Sequence, residues 1–267
     1  MIKLPPIESM ADAFSVRGKN VVVTGGNRGI GLGISRAFAQ SGANVAVLCR
    51  DASKFDIASL GEAADAQKLA VFSCDISDHA SVVAAAAQVF ALFGTIDVLV
   101  NNAGVATTTA LLSEHGLDEW HRVINTNLHG TANVVHEFAP NIRDSGRGGS
   151  IINITSIGAQ RVSNARDHEN APYHVSKAGL DIFTRYLAVV LGDYGVRVNA
   201  IAPGPTHSDL DKDLPPSAMA KIESDMPAHR FGEPLEIGAL CVYLASPAGN
   251  QVTGQIIAHD GGMLSVT

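Results

Sequence analysis

Cysteine is scarce in this chain of 267 residues: Cys49, Cys74 and Cys241 make an odd number at wide spacings, with no Cys-x-x-Cys. That excludes a structural zinc site built mainly from thiolates and suits a reducing compartment. Long apolar runs are missing too. No segment reaches the roughly 18 apolar residues of a membrane span. Residues 1–17, with Pro5, Pro6, Glu8 and Asp12, lack the apolar stretch of a secretory signal. A cytoplasmic protein without a membrane partner is expected. There is no surplus of positive charge: the net charge is −7, and no basic stripe is available to neutralise phosphates, which argues against nucleic acid as a partner. The ten histidines are scattered, and His168 with Glu169 lacks metal-ligand spacing, so no metal is expected. Repeats, linkers and low-complexity tracts are absent. What remains, 46% hydrophobic and 17% charged, reads as one globular domain able to bury a sizeable core.

The stretch Asn20 to Gly31 organises that domain. Val21, Val22 and Val23 are β-branched, as a strand buried on both faces requires. Thr24 opens a turn carrying Gly25, Gly26, Gly29 and Gly31, after which Ile34, Ala37 and Phe38 recur at helical spacing until Gly42. Strand, glycine turn and helix N-terminus form an anion site: backbone N–H groups and the positive helix end face a pyrophosphate. The alternative is an ordinary tight turn, which also uses glycine.

Further strands are predicted at Asn44–Leu48, Leu69–Ser73, Asp97–Val100, Ser150–Ile154, Arg197–Ile201 and Gln255–Ala258. Helices are predicted at Ser81–Phe93, Leu117–Phe138, Ala171–Leu191 and Pro234–Ala245, the second weakened in its middle by Asn125, Asn127 and Gly130. Strands alternating with helices imply an α/β, doubly wound, mainly parallel sheet covered on both faces. Residues 1–17 read as an N-terminal extension and 18–267 as the single domain. The irregular piece, about 206–230, is too long for an ordinary connection and reads as a substrate lid.

Tyr173 and Lys177 lie four apart in a helix and share one face. A phenol with an ordinary pKa of about 10 is a poor acid–base group at neutral pH; a neighbouring ammonium favours its ionised form. Taken alone, the pair reads better as surface side chains. It is not alone. Thr24-Gly25-x-x-x-Gly29-x-Gly31, Asn101-Asn102-Ala103-Gly104, Ser156, Tyr173-x-x-x-Lys177 and Pro203-Gly204 follow one another in an order that resembles the short-chain dehydrogenase/reductase family, from about Lys19 to Gly262. The resemblance implies an NAD(P)-dependent oxidoreductase with a seven-stranded Rossmann sheet, commonly a homotetramer.

Carried over residue by residue, the resemblance makes Tyr173 the general acid–base, Ser156 the hydrogen-bond partner of the reacting oxygen, and Lys177 the ribose ligand that lowers the tyrosine pKa. Asn127 matches the family's fourth catalytic residue, which supports a water relay to the lysine; a helix-kink role is the alternative. On the cofactor side it implies Gly25, Asn27, Arg28, Gly29, Ile30 and Gly31 at the pyrophosphate. Asn102, Ala103 and Gly104 fall by the adenosine half, with Asp75 on the adenine amino group, and Asn101 is expected to tie strands together. Pro203, Gly204, Thr206 and Ser208 fall by the nicotinamide half, Ser208 replacing the usual threonine. An NAD site places an acid at the end of the second strand. Here that position is Cys49, followed by Arg50, with Arg28 in reach and Asp51 facing solvent. Two guanidinium groups and no acid suit a 2′-phosphate, so the expected cofactor is NADP(H).

The segment from Gly158 to Asn170, between Ser156 and Tyr173, is longer than the family's usual one and polar, with Gln160, Arg161, Asn164, Arg166 and His168. It reads either as a pocket wall for a hydroxylated small-molecule substrate or as solvated surface. In general look the chain is similar to the family's ketose and polyol reductases. The alternative is reduction of 3-oxoacyl groups on acyl carrier protein, an acidic partner. Arg147 could serve its docking, but the second basic position is Tyr194, followed by Gly195, and the lid is acidic, with Asp209, Asp211, Asp213, Glu223 and Asp225. A non-catalytic NADP(H)-binding regulator is a third reading, against which Ser156, Tyr173 and Lys177 all stand.

Overall fold

The computed structural model describes residues 2, 6–62, 67–162, 170–208 and 215–266. Seven strands form one parallel sheet: β1 (Asn20–Thr24), β2 (Asn44–Cys49), β3 (Leu69–Ser73), β4 (Val98–Asn101), β5 (Gly149–Ile154), β6 (Val196–Pro203) and β7 (Ile256–His259). Their order across the sheet is β3-β2-β1-β4-β5-β6-β7. The order reverses between β1 and β4, and a crevice opens there beyond the strand C-termini.

Eight α-helices are described: α1 (Met10–Ala13), α2 (Gly29–Gln40), α3 (His79–Phe93), α4 (Gly116–Ile124), α5 (Gly130–Asp144), α6 (Ala171–Leu191), α7 (Pro216–Asp225) and α8 (Pro234–Ala245). Strand residues alternate between two cores, as the two-residue period dictates. Val22, Leu48, Leu99, Ile151 and Val198 pack beneath α3, α5 and α6. Val21, Val23, Val45, Val100 and Ile152 pack beneath α2 and α8. The last two helices touch closely because Gly33 and Gly238 carry no side chains; a Cβ on Gly238 would sit 2.6 Å from that of Ala37.

Three sequence expectations are amended. The helix expected over Leu117–Phe138 is α4 and α5 joined by a π-helical turn at Asn125–His129, the region where Asn125, Asn127 and Gly130 weaken the α pattern. The 206–230 stretch contains a helix, α7, that the proline and aspartate content hid. Within residues 1–17, Ser9 caps α1 and Val16 is buried in the second core, so the extension packs on the domain.

Candidate active site

The crevice is closed at its base by one threonine. Thr24 Oγ1, at the end of β1, accepts the backbone N–H groups of Asn102 (3.0 Å) and Ala103 (3.1 Å) beyond β4. Asn102 returns the tie: its Nδ2 donates to the carbonyls of Thr24 (3.0 Å) and Gly25 (3.1 Å). Asn102 therefore shapes the glycine turn from behind. Gly25 (φ 63°) and Gly29 (φ 50°) occupy the left-handed region. A Cβ on Gly31 would overlap the Gly25 carbonyl and the Asn102 amide. Arg28, the exposed N-cap of α2, makes no side-chain cap hydrogen bond to that helix, whose positive end lies at the glycine turn. Asn27 and Ile30 are half-buried in the same turn, and Ser208 reaches over it, its Cβ 3.6 Å from where a Cβ of Gly29 would be.

On the β2–β3 side, Cys49 is buried and Arg50 exposed. Asp51 caps the turn at Ser53 (3.1 Å) and pairs with Lys54 (3.0 Å), so it is turned away from the crevice. Asp75 accepts the Ser77 hydroxyl (2.6 Å) and N–H (2.9 Å). The Ser77 hydroxyl is the main cause holding its carboxyl below the usual range, and Arg50 adds to it from β2. Arg50 and Asp75 thus flank one edge of the crevice.

The opposite wall holds the chemistry. Ser156, just after β5, accepts the N–H of Gly158 (3.0 Å) and lies close enough to the Tyr173 hydroxyl to act on it. Burial pushes the Tyr173 phenol up, and the Ser156 contact pulls it back only in part. Lys177 is buried, its Nζ 5.6 Å from the Tyr173 ring centre and donating to the Ile154 carbonyl (2.8 Å). Burial brings its ammonium down to about 8. In the protein alone, then, burial rather than the lysine dominates the tyrosine. Asn127, in the π turn, clasps the Val105 peptide at both ends: Oδ1 accepts the N–H (2.8 Å) and Nδ2 donates to the carbonyl (2.9 Å). Its Nδ2 also reaches Ser176 Oγ (3.0 Å). Gly104 lies between the two groups; a Cβ there would be 3.2 Å from Asn127 Oδ1 and 3.5 Å from Lys177 Nζ. Pro203 and Gly204 end β6 next to Asp260, and Thr206 is buried, hydrogen-bonded to the Gly204 carbonyl (3.0 Å).

A buried polar chain that the sequence reading gave only in its first link sets the position of α6. Asn101 Nδ2 donates to Asn153 Oδ1 (2.8 Å), Asn153 Nδ2 to Thr184 (2.8 Å), and Thr184 to the Leu180 carbonyl (2.8 Å). These partners are 52 and 31 residues apart, so local periodicity carries no trace of them. His174, also missed, donates from Nδ1 to the Gly158 carbonyl (2.7 Å) and braces the turn after Ser156.

The polar segment divides. Gln160 is exposed, and Arg161 donates to the carbonyls of Met263 (2.9 Å) and Val266 (3.1 Å). Asn164, Arg166 and His168 lie outside the described residues, as do the lid residues Asp209, Asp211 and Asp213. Arg147 is engaged with Asp97 (2.9 Å), and Tyr194 carries Arg143 over its ring. The histidines are less scattered than the sequence suggests: His79 and His136 meet Glu137 across α3 and α5, at 2.8 and 3.7 Å.

A doubly wound sheet with a glycine cradle at its switch point, and a serine, tyrosine and lysine on the facing wall, defines a dinucleotide-type oxidoreductase. Comparison with known proteins makes the class specific. A family model described as enoyl-(acyl carrier protein) reductase matches residues 11–264. A 3-oxoacyl-[acyl-carrier-protein] reductase of Chlamydia muridarum is 37% identical over 248 residues, 92% of this chain and 97% of that protein. The L-rhamnose 1-dehydrogenase (NAD(P)(+)) of Azotobacter vinelandii is 35% identical over 259 residues, 92% of this chain and 96% of that one. The crystal structure of a gluconate 5-dehydrogenase from Burkholderia cenocepacia, in complex with NADP and tartrate, superimposes with a TM-score of 0.88 at 30% identity, covering 97% of this chain and 100% of that one. The chain belongs to the short-chain dehydrogenase/reductase family. It is an oxidoreductase acting on alcohol and carbonyl groups.

Proposed function

We propose that this protein is an NADP(H)-dependent reductase of small hydroxylated ketones, working between a ketone and its secondary alcohol. The observation that carries the reading is the convergence of Ser156, Tyr173 and Lys177 on the wall facing the glycine turn. The site fits a dinucleotide on its own geometry: Gly31 and Gly104 leave space where a Cβ would strike neighbours, and the α2 N-terminus begins at the glycine turn. When bound, the nicotinamide supplies or accepts the hydride. In the reducing direction Tyr173 Oη gives its proton to the substrate oxygen, and Ser156 Oγ steadies the charge developing there. Lys177 holds the ribose and supports the ionised phenol; Asn127 orders the water path behind it. The crevice residues Gly25, Asn27, Arg28, Gly29, Ile30 and Gly31 hold the pyrophosphate. Asp75, Asn102, Ala103 and Gly104 line the adenosine half, and Pro203, Gly204, Thr206 and Ser208 the nicotinamide half.

NADP(H) is favoured over NAD(H) because the end of β2 presents Cys49 and Arg50 where an acid would hold the ribose diol. Arg50→Asp is expected to weaken NADPH at least tenfold while changing NADH little, since a charged hydrogen bond is worth about 1.5–3 kcal/mol. Fluorescence titration with both cofactors reads this, and equal losses for the two would remove Arg50 from the 2′-phosphate.

Relatives at similar identity point to both a sugar and an acyl-carrier substrate, so the second reading is reduction of 3-oxoacyl groups on acyl carrier protein. Arg147, held by Asp97, and Tyr194 in place of a base support the small-molecule reading instead. Initial rates with NADPH on ketoses, diketones and 3-oxoacyl thioesters separate the two. A kcat/KM higher for the thioesters than for every ketose would overturn the proposed substrate class.

Self-association is part of the proposal. Val175, Ile182, Tyr186 and Val189 form one exposed apolar stripe on α6, with Val189 81% exposed. Such a stripe on a helix suits a second copy of the chain. Ile182→Asp together with Val189→Asp should convert an oligomer, a tetramer on the family pattern, into smaller species by light scattering. An unchanged mass would place the interface elsewhere. Among the described residues, no helix is long and apolar enough to cross a membrane.

A further inference from the structure

Helix α6 buries a second ionisable group beside the proposed machinery. Asp181 lies one helical turn after Lys177, so the two side chains stack on one face. Asp181 is 6% exposed and Lys177 4%. A buried carboxylate is costly unless its oxygens are paired. Here Asp181 Oδ1 has no hydrogen-bond partner among the described residues, and the nearby Thr155 hydroxyl donates to the Ile201 carbonyl (3.3 Å). The fold does not need an acid at this point. Leu180, Leu187 and Ala188 supply the apolar contacts of α6 with the sheet, and an aliphatic side chain would pack there without the desolvation cost. A charge kept where packing does not require it points to the charge itself.

We infer that Asp181 is a positioning residue that keeps the buried Lys177 in its ammonium form, and thereby sets the alkaline limit of turnover. The inference rests on the reading of Lys177 given above. Helix α6 packs on β6, α4, the π turn at Asn125–His129 and the turn at Ile157–Ala159. The groups that act on Asp181 are Thr155 beyond β5 and Arg185 and Lys177 on α6 itself, Arg185 being exposed. Among the described residues, the charged group acting on Lys177 is Asp181. The directions agree. Burial drives Lys177 down to about 8, and Asp181 works against that fall. Burial raises the Asp181 carboxyl, while Thr155, Arg185 and Lys177 hold it toward the ionised form. Removing the negative charge leaves burial unopposed. Lys177 then sheds its proton at a lower pH, and whatever depends on the ammonium is lost earlier as pH rises.

The test uses the full chain and two charge-removing variants, Asp181→Asn and Asp181→Leu, with Asp181→Glu keeping the charge. The lysine side chains are labelled with carbon-13 at Cε, and the Lys177 resonance, assigned through Lys177→Arg, is titrated by NMR without cofactor. In parallel, the pH profile of kcat/KM is recorded with NADPH and the ketone that turns over fastest. Both charge-removing variants should lower the Lys177 midpoint and the alkaline limb by about one pH unit, while Asp181→Glu stays near the wild type. A purely structural role would lower activity at every pH and leave the midpoint where it was. An unmoved Lys177 midpoint in the folded variants, or a Glu variant behaving like Asn, overturns the inference. If the midpoint moves but Tyr173→Phe keeps full turnover, the Asp181–Lys177 coupling stands and the proposed catalytic reading fails instead.

Discussion

Tyr173→Phe is expected to lower kcat by about 10²–10⁴-fold while NADPH binding changes little. The reason lies in what the substitution keeps. The ring fills the half-buried space beside Lys177, whose Nζ sits 5.6 Å from its centre, so the wall of the crevice holds its shape. The hydroxyl that meets Ser156 is removed, and with it the proton destined for the substrate oxygen. Ser156 Oγ still accepts the Gly158 N–H, an anchor independent of the tyrosine. The loss should therefore appear in kcat, with KM for the ketone and the dissociation constant for NADPH moving by less than a few-fold. Stopped-flow rates and fluorescence titration on the same preparation check both halves. Turnover near the wild-type rate would mean that another group moves the proton.

The second large effect is expected at Gly31. A methyl group there collides with the Gly25 carbonyl and the Asn102 side-chain amide, the two partners already joined at 3.1 Å to hold the turn. Neither can retreat cheaply. The carbonyl belongs to a glycine fixed at positive φ, and the amide also holds the Thr24 carbonyl across the switch point. Overpacking of this kind costs on the order of 1–3 kcal/mol, and relief can come only by displacing the turn whose amides face the pyrophosphate. Gly31→Ala should thus lower thermal stability and reduce dinucleotide affinity by an order of magnitude or more. Calorimetric unfolding with and without NADPH reads both: the variant should lose most of the cofactor-dependent rise in melting temperature. A full rise would show that the cradle adapts. Gly94, where a Cβ meets nothing within 4 Å, offers the control, although its φ of 72° also carries strain.

Much of this fold can be read from local sequence because its strands are buried on both faces. Val21–Val23 and Val45–Leu48 are continuous apolar runs that suit a covered parallel sheet, and the glycines after Thr24 point to an anion-binding turn that the strand order then places at the switch point. Tyr173 and Lys177 are legible for a similar reason: a four-residue spacing is a statement about one helix face. What escaped was what tertiary contact decides. Asn102 falls in the motif, yet that it braces the turn follows only from the adjacency of β1 and β4. Thr184 and Ser176 look like ordinary polar residues of a helix until Asn153 and Asn127 are brought against them. The α7 helix was hidden by Pro215 and Pro216, which read as loop residues and here stand at the helix start, where proline is tolerated. Arg161 looked like part of a pocket wall and is spent on backbone carbonyls near residue 266.

The π turn at Asn125–His129 has a consequence for how this chain can change. It holds one residue more than a regular helix of the same rise, so α4 and α5 are out of phase with each other like two gears meshed a tooth apart. Asn127 meets Val105 only because of that offset. Deleting one residue of the turn lets the segment relax into ordinary helix of about the same rise, so α4 and α5 keep their places while Asn127 loses its aim at Val105. The apolar side of α5 would stay on the sheet, and Asn133 and Asn141 would keep their partners at Ile76 and Ile96. Substitutions in α5 alter the packing of the fold, whereas a one-residue deletion at this point alters the aim of Asn127. A one-residue deletion here is therefore bearable for the fold and damaging for the site.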